Sequence, residues 1–414
     1  MTVATFTCRI CRHEIPSLEA GCPYCLARAR PMTEASPRTL AILAVAMLVL
    51  LVLTGYLSHL FHEEEASRGQ QHAERAGLLL GAGDYDASIA EYREALTYAR
   101  DSLDYRLNLA VALVETGRTS EAESHFTDTL AVDSTLALPN LHLARIAANR
   151  GDVERAAMHY RRALYGRWPS DPVEHRVQTR FELVALLERA GEQMQGVAEL
   201  LDLLDEEPDD PDIASRAAWA LLSVGAPGRA LEVFERIIEE QPRDAVAHSG
   251  VAEAEFALNH YLTARTYFRR ALNLQPSLTH LETRLALCDE INALDPTLRG
   301  LGRISRYDRS VSIVRRALTV VDACLPPPAP SDDAQAPDAT PEPGTEPSTT
   351  PVMNDVAQAR ALVEATRRRT VDDDLTEANL VLAERLWRTA ADSCPDAAQT
   401  DEALGHVLGK LSTS

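Results

Sequence analysis

Four cysteines near the N-terminus carry the clearest chemistry in the sequence. Cys8-x-x-Cys11 and Cys22-x-x-Cys25 are two C-x-x-C pairs separated by ten residues, a spacing that lets four thiolates converge tetrahedrally on one Zn²⁺ ion. Four sulfur ligands close the coordination sphere, so the expected role of the metal is structural rather than catalytic. A segment this small has no core of its own, and metal binding would supply most of its folding free energy. Other readings of the same residues stay open: a disulfide pair, or a redox C-x-x-C, which would ordinarily need a βαβ scaffold. His13 is a candidate surrogate ligand, although an exposed loop histidine is the simpler reading.

Taken together, residues 1–30 resemble the zinc ribbon family of metal-clipped knuckles. Gly21-Cys22-Pro23-Tyr24-Cys25 follows the second-knuckle pattern more closely than Cys8-Arg9-Ile10-Cys11 follows the first. Arg9, Arg12, Arg28 and Arg30 would allow this ribbon to touch nucleic acid; a knuckle that docks a protein fits the same residues.

The cysteines must be held in a compartment, and the next element decides which. From Thr39 to Leu60 there is no acidic or basic residue apart from His59, and about 20 apolar residues suffice to cross a bilayer as a helix. A buried core helix would keep a polar stripe, and this segment has none. A single transmembrane helix over 39–61 is therefore expected. Arg9, Arg12, Arg28, Arg30 and Arg38 precede it, against Glu14, Glu19 and Glu34, whereas Glu63, Glu64 and Glu65 follow it. Positive charge stays inside. The expected location is the inner (cytoplasmic) membrane of a bacterial envelope, with the N-terminus cytoplasmic and everything from Phe61 onward periplasmic or extracellular. The reducing cytoplasm also suits four free thiolates.

Beyond the span, glycines recur at a fixed interval: Gly83, Gly117 and Gly151 lie 34 residues apart, as do Gly191 and Gly225, followed by Asn259. Gly or Asn permits a left-handed turn between paired helices. Small residues such as Ala122, Ala156, Ala230 and Ala264 let helices approach, and Tyr92, Phe126, Tyr160, Phe234 and Phe268 fill the gaps between them. Pro208, Pro242 and Pro276 stop the second helices of the last three units. With aromatics at 5% and Ala and Leu abundant, the fold class is all-α. The pattern over 69–276 resembles the tetratricopeptide repeat (TPR) family, implying an α-solenoid of about six helix-turn-helix repeats. A six-residue insertion containing Trp168 separates the third and fourth. Gly196 and Leu200 depart from the fourth unit's pattern, which predicts looser packing there.

In that family the first helices line a groove that holds peptides or partner helices. The repeat phase places Leu107, Val111, Arg145, Asn149, Phe181, Arg189, Trp219, Glu253 and Phe256 near it. The Lys-and-Asn clamp of members that bind chaperone tails is absent, since Leu107 and Val111 stand in its place, so a terminal-carboxylate ligand is not implied.

After the repeats, Leu281, Leu285, Cys288 and Ile291 predict a capping helix. Ile304, Tyr307, Val311, Val314, Leu318, Val321 and Leu325 form a seam with spacings of three and four, which suits either docking on the repeats or a homodimer; together these elements occupy 277–325. Residues 326–351 are Pro-rich and acidic and predict a disordered linker. Two or three short helices are expected over 352–414. Cys324 and Cys394 end helical stretches of similar composition, Val321-Asp322-Ala323-Cys324 and Ala391-Asp392-Ser393-Cys394. In an oxidising compartment they are expected to form a disulfide; Cys288 is expected to be a buried free thiol.

No P-loop, dinucleotide fingerprint, nucleophile elbow or metalloprotease helix occurs in the sequence. Asp372, Asp373 and Asp374 suit a helix N-terminus, and the net charge of −21 opposes wrapping of nucleic acid by the solenoid. The expected function is a membrane-anchored protein–protein interaction scaffold, not an enzyme, with Zn²⁺ as structural cofactor. The alternative is a transmembrane regulator whose ribbon binds nucleic acid or transcription machinery while the repeats sense an external ligand.

Overall fold

The computed structural model describes residues 6–8, 10–15, 22–26, 37–324, 351–365 and 373–413, and the chain divides into two compact units, Met1–Ser134 and Thr135–Ser414. In the first, β1 (Phe6–Thr7) pairs antiparallel with β2 (Glu14–Ile15), Phe6 opposite Ile15, and a short helix α1 (Pro23–Leu26) follows. Next come α2 (Pro37–Ala82), α3 (Tyr85–Tyr98), α4 (Leu103–Glu115) and α5 (Thr119–Val132).

Helix α2 explains how the apolar segment is used. Its 46 residues rise about 69 Å at 1.5 Å per residue, more than twice the hydrocarbon thickness of a bilayer. Leu43, Leu51, Val52 and Leu53, which point to four sides of the helix, are all exposed. The expected boundaries at 61 and 69 are not breaks in the backbone: the same helix runs on through His62–Ser67 and becomes the first helix of the first repeat. There it turns one face inward. Ala76 is fully buried, its carbonyl accepts from Ser88 Oγ at 2.9 Å, and His72 Nδ1 meets Glu91 at 2.6 Å.

The second unit begins with four helix pairs: α6 (Ala137–Asn149) and α7 (Val153–Leu164), α8 (Pro172–Arg189) and α9 (Gln193–Glu206), α10 (Pro211–Ser223) and α11 (Pro227–Glu240), α12 (Ala245–Ala257) and α13 (Tyr261–Leu274). Across both units the turn residues share one conformation: Gly83, Gly117, Gly151, Gly191 and Gly225 have φ between 75° and 81°, and Asn259 has φ 64°. That left-handed geometry is why the marker is Gly, or Asn where it is not. Phe126, Phe234 and Phe268 are fully buried, each worth about 1.5–3 kcal/mol of transfer free energy. Gly250 is required by one of them, since a Cβ there would lie 2.4 Å from the Phe234 ring.

The insertion between the third and fourth pairs doubles back on α6. Ala137 N donates to Arg167 O at 3.1 Å and Arg167 N to Thr135 O at 2.7 Å, while Trp168 is buried and stacks on His175 at 4.8 Å. The fourth pair is not loosely packed. Leu200 is fully buried among Val177, Val184 and Leu221, and a Cβ at Gly196 would reach only ordinary contact with Val224, 3.5 Å away. Leucine fills the space an aromatic takes elsewhere.

Helix α14 (His280–Leu294) continues the stack, with Cys288 and Ile291 fully buried. The chain then forms α15 (Arg303–Cys324), α16 (Pro351–Glu364), α17 (Asp373–Ser393), α18 (Pro395–Gln399) and α19 (Glu402–Thr413). Among the described residues the C-terminal region thus holds four helices, and α17 has 21 residues rather than being short. The seam on α15 is spent inside the molecule: Val314, Ala317, Leu318 and Val321 share one core with Leu382 and Leu386 of α17. Of the two readings of that seam, these contacts favour the internal one: among the described residues Val314, Ala317, Leu318 and Val321 are buried within the chain. Cys324 and Cys394 form a disulfide with Cα atoms 5.8 Å apart. Arg316 holds Asp401 with two hydrogen bonds of 2.6 and 2.7 Å. Residues 326–350 of the Pro-rich linker and Arg367, Arg368 and Arg369 lie outside the described residues, and Pro351, expected to end the linker, instead opens α16.

Candidate functional site

The two C-x-x-C pairs meet. Cys8 Sγ lies 3.5 Å from Cys25 Sγ and Cys11 Sγ 3.4 Å from Cys22 Sγ, and all four sulfurs fall within 4.8 Å of one another. A tetrahedral ion with Zn–S bonds of about 2.3 Å would separate its sulfurs by about 3.8 Å, so the donor set fits zinc. The first knuckle is closed by Cys8 N donating to His13 O at 2.8 Å and Arg12 N donating to Cys8 O at 2.9 Å, with Arg12 in the left-handed region at φ 61°. Backbone amides of Cys11 and then Ile10 aim at the Cys8 sulfur and lower its pKa to about 6, whereas the hydrogen bond with Cys11, then burial, pushes the Cys25 thiol up; the cluster shares its protons, and a metal would have to displace them. His13 is not among the converging donors. Its ring stacks on Tyr24 at 4.5 Å. Of the nearby arginines, Arg12 is exposed; Arg9, Arg28 and Arg30 lie outside the described residues.

The second candidate is the face lined by the first helix of each pair. On α4, Leu107 and Val111 are half-buried. In the second unit, Arg145 grips Glu182 through Nε at 2.8 Å and Nη2 at 2.6 Å, and Tyr160 Oη donates to the same carboxylate at 3.2 Å. Burial opposes ionisation of Glu182, but those bonds from Arg145 outweigh it and hold the carboxyl below its usual range. Burial, then the charge of Arg145, lowers His142 to about 4, so His142 is neutral here. Asn149 and Arg189 are exposed, and Arg189 Nε donates to Ala185 O at 3.1 Å. Phe181 is half-buried beneath the Arg216 guanidinium, 4.5 Å from its ring centre. Trp219 is 36% exposed and meets Phe234 edge-on at 5.3 Å. Glu253 accepts from Arg284 at 3.2 and 3.0 Å.

Phe256 departs from its expected place on the open face. It is 6% exposed, with Arg284 4.5 Å over its ring and His406 of α19 edge-on at 4.9 Å. The chain's last helix covers it, a contact between residues 150 apart in sequence that no repeat phase reveals. Glu182, Arg216 and Arg284 were also missed. A signal existed: with Gly250 they occupy one column of the repeat, each 34 residues from the next.

Tetratricopeptide repeat family models match residues 79–135, and again 182–245 and 215–278. The repeat region has a TPR-type α-solenoid fold. A TPR repeat-containing thioredoxin of Arabidopsis thaliana is 26% identical over 126 residues, 30% of this chain and 18% of that protein, so the chain spans under a fifth of the relative's length. Among solved structures, YrrB, described as a TPR protein with an unusual peptide-binding site, is 15% identical, with 47% of this chain and 96% of that one covered at a TM-score of 0.36. A tetratricopeptide repeat protein from Parabacteroides merdae is 12% identical over 84% and 100%, at 0.37. The type IV pilus biogenesis factor PilW is 17% identical over 52% and 98%, at 0.36. At these scores the fold assignment rests on the periodic turns and the family models. TPR repeats indicate a protein–protein interaction scaffold.

Proposed function

We propose that this chain is a membrane-anchored interaction scaffold whose TPR face binds or organises proteins of a bacterial envelope, with a structural zinc ribbon on the cytoplasmic side. The observation that carries this reading is α2: one unbroken helix is exposed and apolar all round over residues 40–57 and then supplies the buried first helix of the first repeat. An apolar surface of that kind in water would be strongly unfavourable, whereas in lipid it is the solvated state. Arginine-rich residues before the span and acidic residues after it support an N-terminus held inside. Cysteine usage supports the same orientation, with four thiols gathered before the span and a disulfide after it.

Topology is tested with reporters fused before Met1 and after Ser414: the first should be active only as a cytoplasmic protein and the second only as an exported one. Cytoplasmic activity of the C-terminal fusion would overturn the orientation. Binding is tested by placing a photo-crosslinking residue at Ala185, exposed on the first-helix face, and at Arg236, exposed on a second helix. Crosslinks to envelope proteins should form from the first position and not from the second; equal yields would remove the face as a binding site.

A further inference from the structure

The TPR period sets up a ladder along the first-helix face of the second unit. Each rung joins a residue of one first helix to a residue one repeat further on: Arg145 with Glu182, Ala185 with Arg216, Trp219 with Gly250, Glu253 with Arg284. The two outer rungs are closed by bidentate salt bridges. On the inner two the chemistry changes. Where Arg284 meets Glu253, Arg216 stands two periods earlier opposite Ala185, and no carboxylate pairs with it among the described residues. It is nevertheless exposed and held 4.5 Å over Phe181. One turn further along α10 comes Trp219, its ring edge-on to Phe234, the side chain for which Gly250 makes room.

The chain itself shows what such a pair accepts. Two arginines among the described residues sit over aromatic rings, Arg216 on Phe181 and Arg284 on Phe256. Arg284 is satisfied by Glu253 and, at 3.9 Å, by Glu402 of α19. One turn on from Glu402, His406 lays its ring against Phe256 and approaches Tyr261 Oη at 3.1 Å. The end of the face is thus occupied by a helix that presents a carboxylate and, four residues later, a flat ring.

We propose that the open pair, Arg216 on Phe181 together with Trp219, is the recognition subsite for a partner helix of that same chemistry. The partner places an aspartate or glutamate on Arg216 and an aromatic or imidazole ring, one turn later, against Trp219. A guanidinium already seated on an aromatic ring loses little freedom on pairing and binds carboxylate in a fixed fork. The exposed indole supplies the apolar contact that commonly dominates such sites. This rests on the first-helix face being the binding face, and it adds the ligand's chemistry.

The test uses the full chain in detergent micelles and three fluorescein-labelled, helix-stapled peptides that differ at one position: Glu, Gln or Lys four residues before a Phe. Anisotropy should show the Glu peptide binding about tenfold more tightly than the Gln peptide, with the Lys peptide weakest and the preference shrinking as salt is raised. In Arg216→Gln the Glu-over-Gln gap should vanish. Arg216→Lys should keep part of it, and Arg236→Gln on a second helix should keep all of it. Trp219→Ala should weaken all three peptides alike. Equal binding of the Glu and Gln peptides, no binding of any peptide, or a gap that survives Arg216→Gln would overturn the subsite. Crosslinking from Ala185 in membranes is read separately, so the binding face can stand when the subsite falls.

Discussion

Cysteine is used in opposite ways at the two ends of this chain. Around Cys8, Cys11, Cys22 and Cys25 the described apolar burial amounts to little more than Ile15 and Cys22 itself, so cross-linking through a metal would be the folding energy. At Cys324 and Cys394 the disulfide joins helices that already share Val314, Leu318, Leu382 and Leu386. A cross-link acts on whatever the chain cannot do alone: it creates structure where there is no core and reinforces it where there is one. Cys288 is a third case, a thiol retained simply as packing.

The contrast is sharpest at the metal. If zinc fills the four-cysteine cluster, at about one ion per chain, Cys22→Ser removes one of the four sulfurs and should abolish both the metal and the pairing of β1 with β2. Elemental analysis and amide proton NMR would register it, while the solenoid's melting should not move. An N-terminal cysteine segment that stays folded without metal would break the comparison from that side.

Cys324→Ser should leave α15 and α17 packed and lower the stability of the C-terminal helices by up to about 4 kcal/mol, the entropic value for closing a loop of this length. Denaturant unfolding monitored at Trp387, half-buried in that core, measures it. Collapse of the region to an unfolded state would show that the bridge is as indispensable as the metal. Leu386→Ala, which cuts into the same core, should cost about 3 kcal/mol with the disulfide intact. If the loss is under about 1 kcal/mol, the core is not what holds these helices.

The smallest effect is expected at Cys288, whose burial pushes the thiol up to about 12 from 9.0. A raised pKa means the folded state favours the neutral thiol, so its contribution is fully present below about pH 9 and is lost as pH rises towards 12. At neutral pH, where the thiol is neutral in both states, Cys288→Ala should cost only the packing of one buried sulfur, about 1 kcal/mol. Between pH 9 and 11 Cys288→Ala should flatten the alkaline loss of stability, and Cys288 should resist alkylation until the protein unfolds. Labelling of Cys288 at pH 8 in the folded protein would place it outside the buried class.

Much of the architecture was legible from local signals. A left-handed turn requires Gly or Asn, and that requirement prints a period of 34 on the sequence. A run of apolar residues of membrane-spanning length is visible without any tertiary contact, and α2 carries it as helix. What those signals could not carry was which partner each apolar or charged stripe would choose. The seam on α15 reads the same whether it faces a second copy or α17. Arg145 reads as a groove cation and Arg216 and Arg284 do not stand out at all, until the fold shows Arg145 and Arg284 clamped by Glu182 and Glu253 and Arg216 left open on Phe181.

The sequence by itself therefore determined the parts: a four-cysteine cluster at metal spacing, a membrane-length apolar run, the repeat and its turns. Each depends on residues close together in the chain or on a strict period. Tertiary structure alone decided that α2 passes without a break from the apolar run into the first repeat, that α19 covers Phe256, and that the rungs at Arg216 and Trp219 stay open. Those outcomes depend on which surfaces meet, and a contact such as His406 on Phe256 is fixed by the packing of α19 against α14, not by the identity of the residues beside either one.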